Sequence, residues 1–170
     1  MLNRPITPQE VRRTLRSFSN NKATGPDLLH IKFLKQTLFE STPVLTTLLN
    51  HLFDLEEIPS LMKKRWITPI IKPGKTGTQP KHLRPVSLTS YLGKLLEKIL
   101  QYRLVTYLIR LKLIDVSQFA YLPGRSTTDC IIFLLDQIQR NLRKSRKSKS
   151  NVIFFDFSSA FDTVQHHILL

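Results

Sequence analysis

Two short proline-punctuated runs set between long leucine-rich stretches constrain this chain most. Trp66-Ile67-Thr68-Pro69-Ile70-Ile71-Lys72 and Leu83-Arg84-Pro85-Val86-Ser87-Leu88 are rich in β-branched residues and bounded by turn formers, which is the composition of strands. Pro69 restricts the first run to a sheet edge, because proline has no N–H to give a ladder. Between them, Pro73–His82 holds two glycines, two prolines, Lys75 and Lys81. The natural reading is a β-hairpin with a long basic loop, embedded in a helical chain.

The helices are legible on either side. Thr7-Pro8-Gln9-Glu10 combines a hydroxyl cap, proline at the first helical position and glutamate at the third, which is a capping box. Val11, Leu15 and Phe18 then recur at helical spacing. Asn20–Asp27 is a turn-rich break. A second helix is predicted over Leu28–Phe39, and a third after Ser41-Thr42-Pro43, running through Leu45 to Leu55. Beyond the hairpin, the apolar periodicity from Ser90 to Leu113 predicts a long helix, followed by an irregular stretch over Asp115–Thr128. Another helix passes through Ile131 to Leu142, with Cys130 expected as an inert buried thiol at its start. Val152-Ile153-Phe154-Phe155 reads as a strand covered on both faces, turning after Asp156 into a last helix. That helix ends at Leu170 without glycine, cap or polar tail, which predicts a chain cut short. With 41% hydrophobic residues, the chain can bury a core and is not wholly disordered.

Charge narrows the partner. Against 26 Lys and Arg stand 12 Asp and Glu, a net +14, which calls for an anion, nucleic acid first and an anionic membrane surface second. The single cysteine excludes an internal disulfide framework and a cysteine-based zinc site, and with them points to an intracellular protein. No apolar run approaches the ~18 residues of a membrane span, and residues 1–20 have no central apolar stretch of the secretory kind.

Few residues invite chemistry. Asp156, at the end of an apolar strand, would be a costly carboxylate unless compensated. A divalent metal such as Mg²⁺ would serve; a helix N-cap is the alternative, although Ser158 and Ser159 are better placed for it. Asp162 is explained by the helix dipole. Lys72, Lys75, Lys81 and Arg84 cluster about one loop, fit to grip a triphosphate or simply to be solvated. Gly74-Lys75-Thr76 is no phosphate-binding P-loop, since Pro69 stands where that motif needs glycine and no helix follows. Arg125 follows the turn Pro123-Gly124 and precedes hydroxyl caps, so capping explains its block, with a phosphate contact as the other reading. His166 and His167 are adjacent and have no acidic or cysteine cluster nearby. The basic run 140–149, with six Lys and Arg, reads as a solvated loop or as a backbone-tracking element.

Five blocks in order carry a resemblance: Lys22-Ala23-Thr24-Gly25-Pro26-Asp27; Trp66 to Lys75; Leu83-Arg84-Pro85-Val86-Ser87-Leu88; Gln118 to Thr127; and Phe155-Asp156-Phe157-Ser158-Ser159-Ala160-Phe161-Asp162. Together they resemble the reverse transcriptase of non-LTR (LINE-type) retrotransposons from about residue 5 to 170. The resemblance implies an α+β right-hand polymerase, with fingers over 1–150 and the truncated start of the palm, its first strand, over 151–170. It implies RNA-directed DNA synthesis from an RNA template, a DNA primer and deoxynucleoside triphosphates, in the nucleus or cytoplasm and without a membrane. By resemblance Asp156 is a metal-binding aspartate of a two-Mg²⁺ site, the Phe157 carbonyl faces the ions, and Phe161 is the ring that excludes a ribose 2′-hydroxyl. Lys72 or Lys75, with Arg84, grips the triphosphate, and Arg125 lies beside the template path. The paired aspartates of the palm are expected past Leu170, so this segment alone is expected to be inactive. A non-catalytic nucleic-acid-binding remnant of a degenerate element is the alternative, and an aggregating translation product a third reading. The chain departs from the family's pattern at three places: Leu28 where glycine often follows Gly-Pro-Asp, His82-Leu83 for Asn-Tyr, and Ala120-Tyr121-Leu122 for Gly-Phe-Arg.

Overall fold

The computed structural model describes residues 2–144, 148–157, 160 and 163–169. The chain forms two compact units, Met1–Ile114 and Asp115–Leu170.

The first unit packs helices α1 (Pro8–Ser17), α2 (Ile31–Gln36), α3 (Leu38–Asp54) and α5 (Tyr91–Arg110) around one core, with a short α4 (Ser60–Lys63) leading into the hairpin strands β1 (Arg65–Ile71) and β2 (Leu83–Thr89). Val11 and Leu15 of α1, Ile31 of α2, Leu49 of α3, and Tyr91, Leu95 and Ile99 of α5 are fully buried in that core. The capping box of α1 forms as its sequence predicts, with Thr7 and Glu10 bonding reciprocally.

The helix break between α2 and α3 falls elsewhere than expected. Pro43 lies inside α3, and the chain changes direction at Thr37, which ends α2 and starts α3. Pro43 stands in the second turn of α3, where it gives up one helical bond, that to the Phe39 carbonyl. The hydroxyls of Thr37, Thr42 and Thr46 donate to the carbonyls of Phe33, Leu38 and Thr42, so each bonds back to the preceding turn of its helix.

The start of the chain is strapped to this bundle. Asn50 of α3 accepts from the Ile6 N–H at 2.6 Å and donates to the Ile6 carbonyl at 2.9 Å. The Arg103 side chain of α5, only 3% exposed, donates to both Glu10 oxygens at 2.9 Å and to the carbonyls of Leu2, Arg4 and Pro5.

Among the described residues, four non-glycines take left-handed backbone: Leu28, Glu56, Lys112 and Tyr121. Lys112 closes a Schellman motif after α5, its N–H bonding Ile109 while that of Leu113 reaches Leu108. Leu28, at φ 54° and 69% exposed, follows a turn closed by its own N–H on the Gly25 carbonyl at 3.0 Å. Here its side chain adds strain and little burial. Leu28→Gly is therefore expected to stabilise the unit by about 0.5–1 kcal/mol, read as a raised urea midpoint at unchanged slope; a lowered midpoint would show that Leu28 packing outweighs the strain.

In the second unit, Ser126 caps α6 (Thr127–Arg143) in a capping box with Asp129, and a short α7 spans His166–Leu169. Three expectations fail here. Val152–Phe155 forms no strand, and Ile153, Phe154 and Phe155 are 74–84% exposed. A strand exists through its ladder, and among the described residues of this unit there is no strand for it to pair with. Cys130 is exposed, because no described residue of α6 is buried. The run 140–149 is not wholly a loop, since α6 continues to Arg143. No helix among the described residues is long and apolar enough to cross a membrane.

Candidate functional site

The hairpin is built from residues whose defects match its geometry. In its antiparallel register Pro69 faces Pro85, flanked by Thr68↔Val86 and Ile70↔Arg84. The ladder continues past the strands, where the Lys72 N–H donates to the His82 carbonyl at 2.8 Å. Counting back by twos makes 70/84 and 68/86 the hydrogen-bonded pairs and 69/85 a non-bonded one. Both prolines thus stand where no N–H is required.

Cross-strand partners share a face. Trp66, Thr68 and Ile70 therefore lie with Arg84, Val86 and Leu88, and Lys72 extends the same face toward the loop. The loop has its own scaffold. Lys72 Nζ donates to the Lys81 carbonyl at 2.8 Å, and the Lys75 N–H donates to the Lys72 carbonyl at 3.1 Å. A side chain at Gly77 would meet Ile71 Cδ1 at 2.9 Å, so the loop folds back onto β1. The register sets Lys72 and Arg84 on one face at the loop end, and Lys75 follows in the loop; all three are exposed. None of them takes part in the ion pairs of the described residues, which are Arg4–Glu10, Arg103–Glu10 and Arg140–Asp136. Lys72 is partly spent on holding the loop; Lys75 and Arg84 carry the charge outward.

The other end of the hairpin is anchored by the Gly-Pro-Asp block, a role that sequence reading left unassigned. Gly25 abuts the backbone where β2 passes into α5. Ser90, buried there, caps α5 through Leu92 N–H at 3.1 Å and donates to Asp27 Oδ2 at 2.5 Å. The Tyr91 hydroxyl donates to the Lys22 carbonyl at 3.3 Å. The block thus fixes where the basic hairpin leaves the helical bundle. The sequence signal was only the start of helical periodicity at Ser90, which does not reveal a partner 63 residues away.

In the second unit, Arg125 holds its own loop: Nη1 donates to the Val116 carbonyl at 3.2 Å, and the guanidinium lies 5.2 Å from the Phe119 ring centroid. Hydrogen bonds from the Ser126 hydroxyl and N–H hold the Asp129 carboxyl below the usual carboxylate range, with the charge of Arg125 adding to the effect. Asp156 and Phe157 are exposed. The cost of burying a carboxylate therefore does not arise at Asp156, and the metal reading there rests on the motif. Phe161 and Asp162 lie outside the described residues.

The Asp156 carboxylate and Phe157 carbonyl are hard oxygen donors of the kind Mg²⁺ takes. Among the described residues no three His, Cys, Asp or Glu side chains gather in one place. The donors fit a divalent ion in kind and are short in number.

Comparison with known proteins agrees with the motif order. The family described as reverse transcriptase (RNA-dependent DNA polymerase) matches residues 70–170. The chain is similar to the probable RNA-directed DNA polymerase from transposon X-element of Drosophila melanogaster, 30% identical over 95% of this chain and 18% of that protein. It is similar also to those from transposon BS and mobile element jockey of the same organism, each 29% identical over 98% and 97% of this chain. The chain spans about 18% of the length of these curated relatives. Five ordered motif blocks, a basic β-hairpin in a helical setting and a family match over residues 70–170 lead to one assignment: the chain belongs to the reverse transcriptase family.

Proposed function

We propose that this chain is a segment of an RNA-directed DNA polymerase of a non-LTR retrotransposon, contributing the fingers and the first palm motif. The observation that carries the reading is the placement of Lys72, Lys75 and Arg84 at one end of a hairpin inside the family match. In this reading Arg84 and Lys75 bind the phosphates of an incoming deoxynucleoside triphosphate, and Lys72 keeps the loop shaped for them. Guanidinium and ammonium together offset part of the triphosphate's negative charge and leave its base free to pair with an RNA template. Asp156 and the Phe157 carbonyl would hold Mg²⁺, which when bound supplies positive charge to the reacting phosphate. Phe161 would close off the sugar 2′ position. The 3′-hydroxyl oxygen of a DNA primer bonds to the α-phosphorus as the bond to pyrophosphate breaks, and the hydroxyl proton passes to solvent. Cellular sites in this reading are a cytoplasmic ribonucleoprotein and nuclear DNA. Among the described residues no three His, Cys, Asp or Glu side chains gather in one place; in this reading the 170 residues alone bind without polymerising, and the non-catalytic binding remnant describes what they do in isolation.

Binding of a fluorescent deoxynucleoside triphosphate to the full chain, followed by anisotropy, tests the hairpin assignment. Lys75→Gln with Arg84→Gln is expected to weaken it about tenfold or more, roughly the worth of one charge-assisted contact. Unchanged affinity would remove the hairpin from the site.

A further inference from the structure

The seam between α1 and α5 carries a second set of cations, outside the hairpin. Side chains meet along it in antiparallel order: Glu10 with Arg103, Arg13 with Tyr102, Phe18 with Lys98 and Tyr91. The Arg13 guanidinium lies 4.0 Å from the Tyr102 ring centroid, Lys98 Nζ 4.8 Å from that of Phe18, and Lys94 Nζ 4.8 Å from that of Tyr91. Phe18 and Tyr91 pack edge to face at 5.7 Å.

These three cations rest on aromatic rings, and none of them enters an ion pair of the described residues. The contrast with Arg103 is chemical. A carboxylate cancels a cation's charge, whereas a ring face orients the cation and leaves the charge in place. Lys94, Lys98 and the Tyr102 level of α5 are four residues apart, so the cations rise in steps of about 6 Å over about 12 Å. That is a row for a linear polyanion, not a pocket for one small anion. Tyr102, 44% exposed beneath Arg13, adds a stacked guanidinium–phenol pair of the sort on which unpaired bases lie. Burial also pushes the Lys94 ammonium below its ordinary pKa, against the pull of Asp27 and Glu97. An arriving phosphate would compensate it.

We propose that the α1/α5 seam binds the backbone of single-stranded nucleic acid, with Arg13, Lys94 and Lys98 neutralising successive phosphates and Tyr102 offering a stacking face. The surface needs only the Met1–Ile114 unit and does not depend on the triphosphate assignment of the hairpin.

The test uses the full chain and a 20-nucleotide RNA of mixed sequence. Acetylation of lysines, read by mass spectrometry, is expected to slow at least threefold at Lys94 and Lys98 when RNA is bound, and less at Lys112 beyond the end of α5. The same DNA sequence is the parallel arm. Protection by either strand supports the seam, and the stronger identifies its preferred ligand. Arg13→Gln, Lys94→Gln and Lys98→Gln together are expected to lower the slope of log affinity against log salt by about 2, three phosphates at ~0.7 each, while triphosphate binding stays unchanged. Protection confined to Lys72, Lys75 and Lys81 would overturn the proposal. So would an unchanged salt slope in the folded triple variant, or protection of the seam by phosphatidylserine vesicles and by neither nucleic acid.

Discussion

Arg103→Ala is expected to lower the unfolding free energy of the Met1–Ile114 unit by about 4 kcal/mol, the range for removing one partner of a buried ion pair. At about 4 °C per kcal/mol this is a fall of ~15 °C in Tm. The size follows from what is left behind. Glu10 loses both of its 2.9 Å bonds from the guanidinium, and the carbonyls of Leu2, Arg4 and Pro5 lose their donor. Removing Glu10 at the same time rescues only part of the loss, because those three carbonyls stay unpaired. Thermal melts of wild type, Arg103→Ala and Glu10→Gln measure this; an Arg103→Ala loss under 1 kcal/mol would contradict it.

The same pair fixes a pH window. The side-chain bonds from Arg103, aided by Thr7 and opposed by burial, hold the Glu10 carboxyl at about 2 instead of 4.5. A lowered folded pKa stabilises fully above the unfolded value and is lost as pH falls. Stability should therefore decline from about pH 4.5 down through pH 2 by ~2–3 kcal/mol, the lower figure allowing for solvent at the 15% exposed carboxylate. Glu10→Gln should flatten the decline in that window.

Gly25→Ala is the second large effect, expected to cost about 3 kcal/mol. A Cβ there would lie 2.5 Å from Thr89 C and O and 2.7 Å from Ser90 N, and backbone cannot step aside as a side-chain tip can. The shift would fall on the junction that carries Ser90 and the base of the hairpin. Gly25→Ala is thus expected to weaken triphosphate binding as well as stability, which separates it from Arg103→Ala at the far end of α5. Urea denaturation and the anisotropy titration together check both halves; full stability in Gly25→Ala would refute the close approach.

What sequence reading captured was local. The capping box at Thr7, the hydroxyl cap at Ser126, the two strands and the loop between them depend on residues within a few positions of one another, and they form where the pattern places them. What it missed was tertiary. In sequence Arg103 is one of several cations along the same helix, and nothing near it announces Glu10, 93 residues away. Pro43 is a strong local break signal, yet the chain turns at Thr37, where the apolar positions of two helices must share one core. Cys130 and Val152–Phe155 look buried by composition, but burial requires another surface, and among the described residues none covers them. Of the site, the hairpin cations were legible as a cluster, and the common face of Lys72 and Arg84 follows from the strand register. Asp156 was legible as a motif, while the burial argument for it was not sustained.

The central claim is that this segment carries working polymerase parts. It is tested most directly by exchanging the matching residues of the Drosophila melanogaster jockey polymerase, to which 97% of this chain aligns at 29% identity, for this chain. The exchanged protein is expected to extend a DNA primer on an RNA template, and Asp156→Ala in it to reduce extension about a thousandfold, roughly 4 kcal/mol of lost transition-state stabilisation. Extension that survives Asp156→Ala unchanged, or a folded exchange protein that binds primer and template without extending them, would contradict the account.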